Sequence, residues 1–500
     1  MGKKDKNKKK GKGAEKTAAK TEKKESNKLK KNLAKIGEED IEKILADIEQ
    51  EERKKLEIKI LKVDPPRRRI NFSFVPHPDK DELILFGGEF FNGQKTFIYN
   101  DLFFYNVQSN SWTLIQSPAG PPPRCGHQMV TTSVNKGQLW VFGGEYASPT
   151  QSQFYHYKDL WVFHLDCNKW EKVTSPNGPS SRSGHRMVYL KKQIFVFGGF
   201  HDNLRDYKYY NDVHVFSIET YRWTKLEPTG KGPAPRSGCC MVPLSDGKIL
   251  IYGGYSKEKL KKDVDKGVIF ADAFLLVPDK NDTTATKWKW VQTKLGGVNF
   301  TQRSGIGCTI APNNVAYTFG GVFDIEEEED ISSTFYNDFY MLDLNNLIWR
   351  NIAVGKVNKR KVEVEDLKME VDEVKVNEVP EIVADDGIFT VTVGPSFSTV
   401  QSSSQEAEDK VDIFKPSPRM NCGLTVKHGI LYMFGGMVED ADKQLTMSDF
   451  YSLDLRKLDK WNVLVQDKEV QEWLASNSES ESDDVSSSSD ENQSDDSMET

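Results

Sequence analysis

The chain has 500 residues, of which 37% are hydrophobic and 29% are charged, and its formal net charge is −7. This composition favours a well-packed soluble fold, and no run approaches the roughly 18 apolar residues that a membrane-spanning helix needs. Lysines rather than an apolar core follow Met1, so we predict no secretory signal. The six cysteines lack C-x-x-C spacing, which favours buried thiols in a reducing compartment. We therefore expect a cytoplasmic or nuclear protein, not a secreted one, without membrane contact.

The N-terminal region contains two different segments. Residues 1–37 form a lysine-rich tail that we predict to be disordered, because residues 1–35 carry fifteen lysines against four acidic residues. Residues 38–61 follow a helical pattern, with Ile41, Ile44, Leu45 and Ile48 at positions i, i+3, i+4 and i+7. We predict an amphipathic helix that packs on the folded domain as a cap. A free helix that docks a partner is the alternative.

Six repeats fill residues 65–465. Each contains an arginine, an apolar run that ends in two glycines, an aspartate and a closing tryptophan. The glycine pairs are Gly87–Gly88, Gly143–Gly144, Gly198–Gly199, Gly253–Gly254, Gly320–Gly321 and Gly435–Gly436. The aspartates are Asp101, Asp159, Asp212, Asp272, Asp338 and Asp449. The tryptophans are Trp112, Trp170, Trp223, Trp290, Trp349 and Trp461, and Trp288 competes with Trp290 for this position.

The spacing of these repeats predicts the fold. The first four glycine pairs are 56, 55 and 55 residues apart, a period typical of a four-stranded β-propeller blade. Apolar runs suit strands that are buried on both faces, paired glycines suit positive φ or close backbone approach, and tryptophan fills the widening space between blades. We predict an all-β, six-bladed propeller with blades at about 65–116, 120–174, 178–227, 232–293, 300–353 and 416–465. This pattern predicts no strand exchange between the first and last blades, so we expect packing to close the ring.

The recurring arrangement of Gly-Gly, an aromatic residue and tryptophan resembles the kelch repeat. The resemblance covers residues 65–465 and recurs six times. It implies a kelch-type β-propeller that binds other proteins, and it transfers no specific biochemical activity.

The later segments outside the repeats are charged or rich in serine. Residues 355–414 interrupt the last repeat and are predicted to be largely disordered, and residues 325–330 form an acidic loop. Residues 466–476 are predicted to form a short helix. The tail 477–500 holds nine acidic residues and no basic one, which predicts disorder. Ser478, Ser480, Ser487 and Ser488 each precede an acidic residue by three positions, so the tail is either a phosphorylated regulatory segment or a solubilising one.

The stretch RSGHRM (182–187) places Ser183 two residues from His185, as in a nucleophile with its base. The equivalent histidine position holds His127, Cys239, Ile306 and Cys422 in other repeats, which indicates packing rather than catalysis. The eight histidines lack metal-ligand spacing, and no phosphate-binding glycine loop is present. We predict no catalytic residue, no metal and no cofactor.

Binding is the remaining function, and two sets of residues are candidates for it. The loops that follow the glycine pairs are rich in aromatic and charged residues, which dominate protein-binding hot spots. Their candidates are Phe90, Phe91, Tyr146, His201, Arg205, Tyr207 and Tyr209. The repeated arginines are Arg124, Arg182, Arg236, Arg303 and Arg419, with Arg69 as a less well aligned sixth. These arginines either tie the blades together through backbone carbonyls or the repeated aspartates, or face a partner, as kelch arginines that grip acidic peptides do.

The sequence thus predicts a monomeric, non-enzymatic scaffold that binds a protein partner through the loop face of the propeller. One alternative is a substrate receptor of a ubiquitin ligase. Another is association with RNA or the ribosome, through weak nucleic-acid contact of the lysines in residues 3–35.

Overall fold

The computed structural model describes residues 28, 31–33, 37–54, 57–203, 206–261, 264–280, 282, 286–326, 331–355, 414–440 and 443–467. Parts of several predicted segments lie outside these residues: 1–27, 29–30 and 34–36 of the lysine-rich tail, 327–330 of the acidic loop, 356–413 of the insertion, 468–476 of the short helix, and the acidic tail 477–500 with its serines. None of the helices among the described residues is long and apolar enough to cross a membrane.

Six sheets follow one another along the chain as the blades of a propeller, each with four antiparallel strands, and the sheets of blades 1 and 5 have a fifth strand at the outer rim. The innermost strands of most successive blades contact each other, so the four antiparallel strands of each blade run in order from the central channel to the outer rim. A two-stranded hairpin separates the second strand of every blade from the third. The predicted all-β, six-bladed propeller is therefore confirmed.

The N-terminal half contains helix α1 (Ile41–Lys54), a 3-10 turn (Val134–Lys136) and the first three blades. The strands of blade 1 are β1 (Lys59–Val63), β2 (Ser73–Pro76), β3 (Glu82–Phe86), β4 (Glu89–Phe91), β5 (Thr96–Ile98), β6 (Leu102–Asn106) and β7 (Ser111–Gln116). Those of blade 2 are β8 (Gln128–Thr132), β9 (Gln138–Phe142), β10 (Glu145–Ala147), β11 (Phe154–His156), β12 (Leu160–His164) and β13 (Lys169–Val173). Those of blade 3 are β14 (Arg186–Leu190), β15 (Gln193–Phe197), β16 (Phe200–Asp202), β17 (Tyr207–Tyr209), β18 (Val213–Ser217) and β19 (Arg222–Leu226).

The C-terminal half repeats this order. The strands of blade 4 are β20 (Cys240–Pro243), β21 (Ile249–Tyr252), β22 (Tyr255–Lys261), β23 (Val264–Ile269), β24 (Ala273–Pro278) and β25 (Trp288–Thr293). Those of blade 5 are β26 (Gly296–Gly297), β27 (Gly307–Ala311), β28 (Val315–Phe319), β29 (Val322–Glu326), β30 (Ile331–Phe335), β31 (Phe339–Asp343) and β32 (Ile348–Asn351). Those of blade 6 are β33 (Gly423–Lys427), β34 (Ile430–Phe434), β35 (Met437–Asp440), β36 (Lys443–Thr446), β37 (Phe450–Asp454) and β38 (Trp461–Val465).

The paired glycines end the second strand of each blade where the next blade comes closest. Gly143 and Gly144 have φ angles of 64° and 93°, which side chains with a Cβ rarely adopt. A Cβ on Gly143 would lie 2.8 Å from the carbonyl oxygen of Arg182, and one on Gly144 would lie 2.7 Å from that of Cys125. Both positive φ and close approach therefore require glycine here.

The core between blades contains one repeated aromatic contact. The aromatic residue before each glycine pair packs against the tryptophan on the outermost strand of the next blade. The pairs and their ring-centroid separations are Phe86–Trp170 5.4 Å, Phe142–Trp223 5.5 Å, Phe197–Trp290 5.9 Å, Tyr252–Trp349 5.8 Å, Phe319–Trp461 5.9 Å and Phe434–Trp112 6.0 Å. Trp290, rather than Trp288, occupies the repeated position in blade 4.

The ring closes between blades 6 and 1 through side chains, and each blade is built from its own segment of the chain. The Lys427 ammonium donates to the carbonyl oxygen of His77 at 2.7 Å. The Arg68 guanidinium, from the N-terminal side of blade 1, donates to the Asp467 carboxylate at 3.1 Å. Strand β1 adds a fifth strand to the rim of blade 1 by pairing with β7.

The N-terminal helix is shorter than the predicted segment 38–61, because it ends at Lys54 and residues 59–63 form β1. Apolar and polar residues largely alternate from Leu56 to Val63, which suits a strand better than a helix, and the open edge of β7 supplies the hydrogen bonds. Helix α1 packs with Leu45, Ile41, Ile44 and Ile48 on the propeller. The predicted cap is confirmed, and the free helix is not what the structure shows.

Candidate partner-binding site

The six hairpins that follow the glycine pairs lie at one end of the propeller, and we call this end the hairpin face. The hairpins are β4–β5, β10–β11, β16–β17, β22–β23, β29–β30 and β35–β36. Neighbouring hairpins of blades 6, 1, 2 and 3 contact one another. They surround the mouth of the central channel, a cavity of about 1030 Å³ that residues of all six first strands line.

The repeated arginines lie beside this face, and each binds groups of its own blade. In blade 3, the Arg182 guanidinium donates to both carboxylate oxygens of Asp212, at 2.6 and 3.0 Å, and to the carbonyl oxygen of Gly198 at 3.0 Å. The Tyr210 ring packs 4.1 Å from the guanidinium carbon. Bonds to an aspartate and to the first glycine recur in every blade. The aspartate pairs are Arg69–Asp101, Arg124–Asp159, Arg182–Asp212, Arg236–Asp272, Arg303–Asp338 and Arg419–Asp449.

The backbone of the same arginine ties its blade to the preceding one. The Arg182 amide donates to the carbonyl oxygen of Tyr157 at 3.1 Å, and its carbonyl oxygen accepts from the Gly144 amide at 2.9 Å. These arginines are at most 2% exposed, so Arg124, Arg182, Arg236, Arg303 and Arg419 offer no surface to a partner. The sequence left two roles open for the arginines, and the structure supports the structural one. Their side chains link groups within one blade, and the backbones of Arg124, Arg182, Arg236 and Arg419 also bond to the preceding blade.

The Ser183 and His185 side chains contact different groups. Ser183 donates its hydroxyl to Glu145 at 3.1 Å, and it is fully buried. The His185 ring packs edge-on against Phe142 at 5.2 Å, and the equivalent His127 packs against Phe86 at the same separation. Burial lowers the pKa of His127 to about 3. These histidines are therefore neutral packing residues, as the comparison of repeats predicted.

Two glutamates near the channel mouth were missed by the sequence analysis. Glu145 accepts from Ser183 and lies 3.4 Å from the imidazole Nε2 of His156, while Glu89 accepts from the Asn71 amide at 2.6 Å. Burial, together with the charge of Glu89, raises the pKa of Glu145 to about 8. Burial also lowers the pKa of His156 to about 4. The sequence feature that could have identified these glutamates is the string FGGE, in which a glutamate follows the glycine pair; it occurs in the first two repeats alone.

The residues that the structure describes contain no cluster suited to a metal ion. Among them, no three histidine, cysteine or acidic side chains are grouped so that they could hold an ion.

Helix α1 covers part of the hairpin face. Leu45 packs with Tyr146 and Tyr157 of blade 2, which leaves Tyr146 8% exposed. The Glu38 carboxylate, just before the helix, accepts hydrogen bonds from Thr150 and Ser152 in the same hairpin. Tyr146 was predicted to contact a partner, but the chain's own helix occupies that surface.

The other predicted aromatic residues lie in two groups. Phe90 stacks on Phe97 in blade 1 with centroids 6.1 Å apart, and Phe91 beside it is half-buried. The His201 ring packs 4.6 Å from that of His156, and its Nδ1 lies 3.2 Å from the Ser181 hydroxyl. Arg205 lies outside the described residues.

The second group joins the hairpins of blades 3 and 4. The Tyr207 hydroxyl donates to Asp265 at 2.8 Å, and the Tyr209 ring packs against those of Phe200 and Tyr255. Because Phe200, Tyr255 and Asp265 also line the channel, the group borders its mouth. We call the following residues the blade 3–4 patch: Phe200, Tyr207, Tyr209, Tyr255, Lys257 and Asp265.

One family model, two curated relatives and one solved structure are similar to this chain. Residues 62–276 match the family model described as "FBX42, beta-propeller domain". Kelch domain-containing protein 3 of Homo sapiens is 29% identical over 180 residues, which cover 35% of this chain and 45% of that protein. Host cell factor of Drosophila melanogaster is 26% identical over 309 residues, which cover 56% of this chain and 18% of that protein. The solved structure titled "Structure of YjhT" covers 80% of this chain and 98% of its own, at 14% identity and a TM-score of 0.49.

The chain spans less than half the length of these two curated relatives. The family model and the similarity to Kelch domain-containing protein 3 support a propeller of the kelch type.

Proposed function

We propose that the chain is a non-enzymatic scaffold that binds a protein partner on the hairpin face, over the blade 3–4 patch and the channel mouth. The observation that carries this proposal is the uneven cover of the face. Helix α1 packs on the hairpins of blades 1 and 2, and Tyr207 and Tyr209 of blade 3 are half-exposed. The helix therefore leaves blade 3, with its half-exposed tyrosines, and the neighbouring blade 4 open to a docking partner.

The chemistry of the patch suits recognition of a peptide segment. Tyrosines beside fixed charges combine apolar contact area with hydrogen bonding, which is typical of binding hot spots. Lys257 and Lys266 line the channel beside Phe200 and Tyr255. We expect the partner to place an apolar side chain on the two rings and an acidic group near the lysines.

Affinity purification of the full chain followed by mass spectrometry tests this proposal. The test variant combines Tyr207→Ala with Lys257→Glu. The matched control combines Tyr155→Ala with Lys158→Glu, because both residues are exposed on the hairpin side of blade 2. Thermal unfolding of each purified variant checks that the propeller is intact.

We expect folded test protein to lose partners that wild type and control retain. If both folded variants retain the same partners, the patch is not the docking site. Partners lost equally from both would also contradict it, because blade 2 would then contribute as much as blades 3 and 4.

The ligase and RNA alternatives stay predictions. The segments that they would use, most of the lysine-rich residues 3–35 and the C-terminal residues 470–477, lie outside the described residues. Cullin or elongin subunits among the purified partners would favour the ligase receptor. RNA binding whose salt dependence disappears on deletion of residues 1–35 would favour the RNA-associated function.

A further inference from the structure

The seam between blades 4 and 5 differs from its neighbours near the channel. At the first three seams and at the seam between blades 5 and 6, the second glycine of the pair donates to the carbonyl oxygen of the next blade's arginine, at 2.8–2.9 Å. Among the described residues, Gly254 and Arg303 do not form this bond, and neither do Gly436 and Arg69 at the seam between blades 6 and 1. A Cβ on Gly253 would have one neighbour within 4 Å, the Phe270 carbonyl oxygen, and none from Arg303.

Two cysteines from adjacent innermost strands meet at this seam. Cys240 lies on β20 of blade 4 and Cys308 on β27 of blade 5, and both belong to the apolar core between those blades. At the next seam a Cβ on Gly307, the equivalent of Cys240, would lie 3.0 Å from Leu424, the equivalent of Cys308, so these two positions face each other across a seam. The neighbouring Cys239 belongs instead to the core between blades 3 and 4, so its side chain serves a different seam.

The position of Cys308 holds a larger side chain in the other blades. Its equivalents also pack against the preceding blade. These equivalents are Phe74, Met129, Met187, Met241 and Leu424. The smaller cysteine fills less of this seam, and both Cys240 and Cys308 line the channel cavity. A small reagent in the channel therefore has a route to the Cys308 sulfur, which is half-buried rather than buried.

The surroundings of Cys308 favour its thiolate. The hydrogen bond from the Cys240 thiol lowers the pKa of Cys308, and the positive charge of Arg186 acts in the same direction. The Arg186 guanidinium is held in place by a 2.6 Å hydrogen bond to the carbonyl oxygen of Cys239. A thiolate, rather than a thiol, is the nucleophile in exchange with disulfides.

We propose that Cys240 and Cys308 are an oxidisable pair, which a low-molecular-weight disulfide such as oxidised glutathione converts into a covalent link between blades 4 and 5. The Cys308 thiolate attacks one sulfur of that reagent and releases one thiolate, which takes up a proton. Cys240 then loses its proton to solvent and attacks the Cys308 sulfur, which releases the second small thiol. Two protein thiols are oxidised and one external disulfide is reduced to two thiols, so the exchange balances.

The link would replace the main-chain tie that this seam lacks. It would also close a loop of nearly seventy residues in the unfolded chain, which favours the folded state. We expect oxidation to raise the midpoint of thermal unfolding by roughly 5 °C, and dithiothreitol to reverse the rise.

The test uses the full wild-type chain, incubated with oxidised glutathione, blocked with N-ethylmaleimide and digested without reduction. Mass spectrometry with fragmentation then identifies linked cysteines and distinguishes Cys240 from Cys239. We expect a Cys240–Cys308 link as the main product, absent after dithiothreitol. The link should persist in Cys422→Ser, a buried cysteine of the next seam, and be lost in Cys240→Ser.

Two results would overturn the proposal. One is recovery of Cys240 and Cys308 as blocked thiols to the same extent as Cys422. The other is a main product that joins Cys239 to Cys240 or Cys308, or that joins two chains through the exposed Cys167. Because the decisive measurement is made on wild type, poor folding of a variant does not affect it.

Discussion

Phe434 of blade 6 packs against Trp112 of blade 1 with ring centroids 6.0 Å apart, and the contact completes the circle of aromatic pairs. Phe450 joins the two rings, 6.0 Å from Phe434 and 5.5 Å from Trp112. No strand of blade 6 comes from the N-terminal part of the described chain. Side-chain packing of this kind therefore carries much of the closure.

Replacing Phe434 should destabilise the whole propeller. Phe434→Ala removes a fully buried ring from the closing seam, and we expect a loss of about 3–5 kcal/mol in the free energy of unfolding. Val463→Ala on the outer strand of the same blade is the control, because that side chain is 48% exposed and should change stability by less than about 0.5 kcal/mol. Denaturant unfolding measures both. Equal stability of the two variants would show that packing at Phe434 does not close the ring.

The arginine ties give a second prediction. Burial opposes ionisation of Asp212, but hydrogen bonds from His214 and Arg182 outweigh it, so the pKa of Asp212 lies below its usual range. Arg182→Lys keeps the charge and loses the planar fork that bonds to Asp212 and Gly198 together, which we expect to cost about 2 kcal/mol; Arg182→Ala should cost about 3–5 kcal/mol. The exposed Arg222→Lys on β19 is the control, and denaturant unfolding is again the measurement. A stable Arg182→Lys variant would mean that one charge, without the fork, suffices.

The sequence predicted the features that each repeat carries within itself. The glycine pairs and Trp223 could be placed because positive φ, close approach and rim packing are local requirements that recur at a fixed period. The choice between two roles for Arg182 could not be made, because its burial depends on Asp212, thirty residues away, and on the backbone of another blade. The sequence could not decide whether Trp288 or Trp290 takes the repeated tryptophan position in blade 4. The structure assigns it to Trp290, because that ring packs against Phe197.

The candidate site was less predictable than the fold. Tyr146 follows its glycine pair as Phe90 does, yet α1, from about a hundred residues earlier, lies over Tyr146. A periodic pattern describes one repeat and contains nothing about a segment outside the array. The environment of Glu145 depends similarly on Ser183 of the next blade.

Glu145 should make stability depend on pH. Its folded pKa of about 8 exceeds its ordinary value of 4.5, so between these pH values the folded protein holds a proton that the unfolded chain has released. Stability is then highest at or below pH 4.5 as far as this group is concerned, and it falls as the pH rises to 8. The side chain keeps 19% of its surface exposed, so we expect water to limit the loss to about 1–2 kcal/mol.

Glu145→Gln removes this titration and keeps an oxygen for the Ser183 hydroxyl. We expect the variant to gain stability relative to wild type as the pH rises from 5 to 8, with the other titrating groups cancelling in the comparison. Denaturant unfolding of both proteins at the two pH values measures it. A stability difference that is the same at pH 5 and pH 8 would contradict the protonated state of Glu145.

Loosening α1 should uncover blade 2. Leu45→Asp places a charge against Tyr146 and Tyr157, so we expect the helix to detach and amide hydrogen exchange to rise in β10 and β11, while blades 3–6 stay protected. Ala46→Asp, one residue further along the same helix but exposed, introduces the same charge and should leave exchange unchanged. If β10 and β11 exchange equally in both variants, the helix does not protect this hairpin in solution. The proposal that a partner docks on blades 3 and 4 would then lose its supporting observation, which is that α1 covers the hairpins of blades 1 and 2.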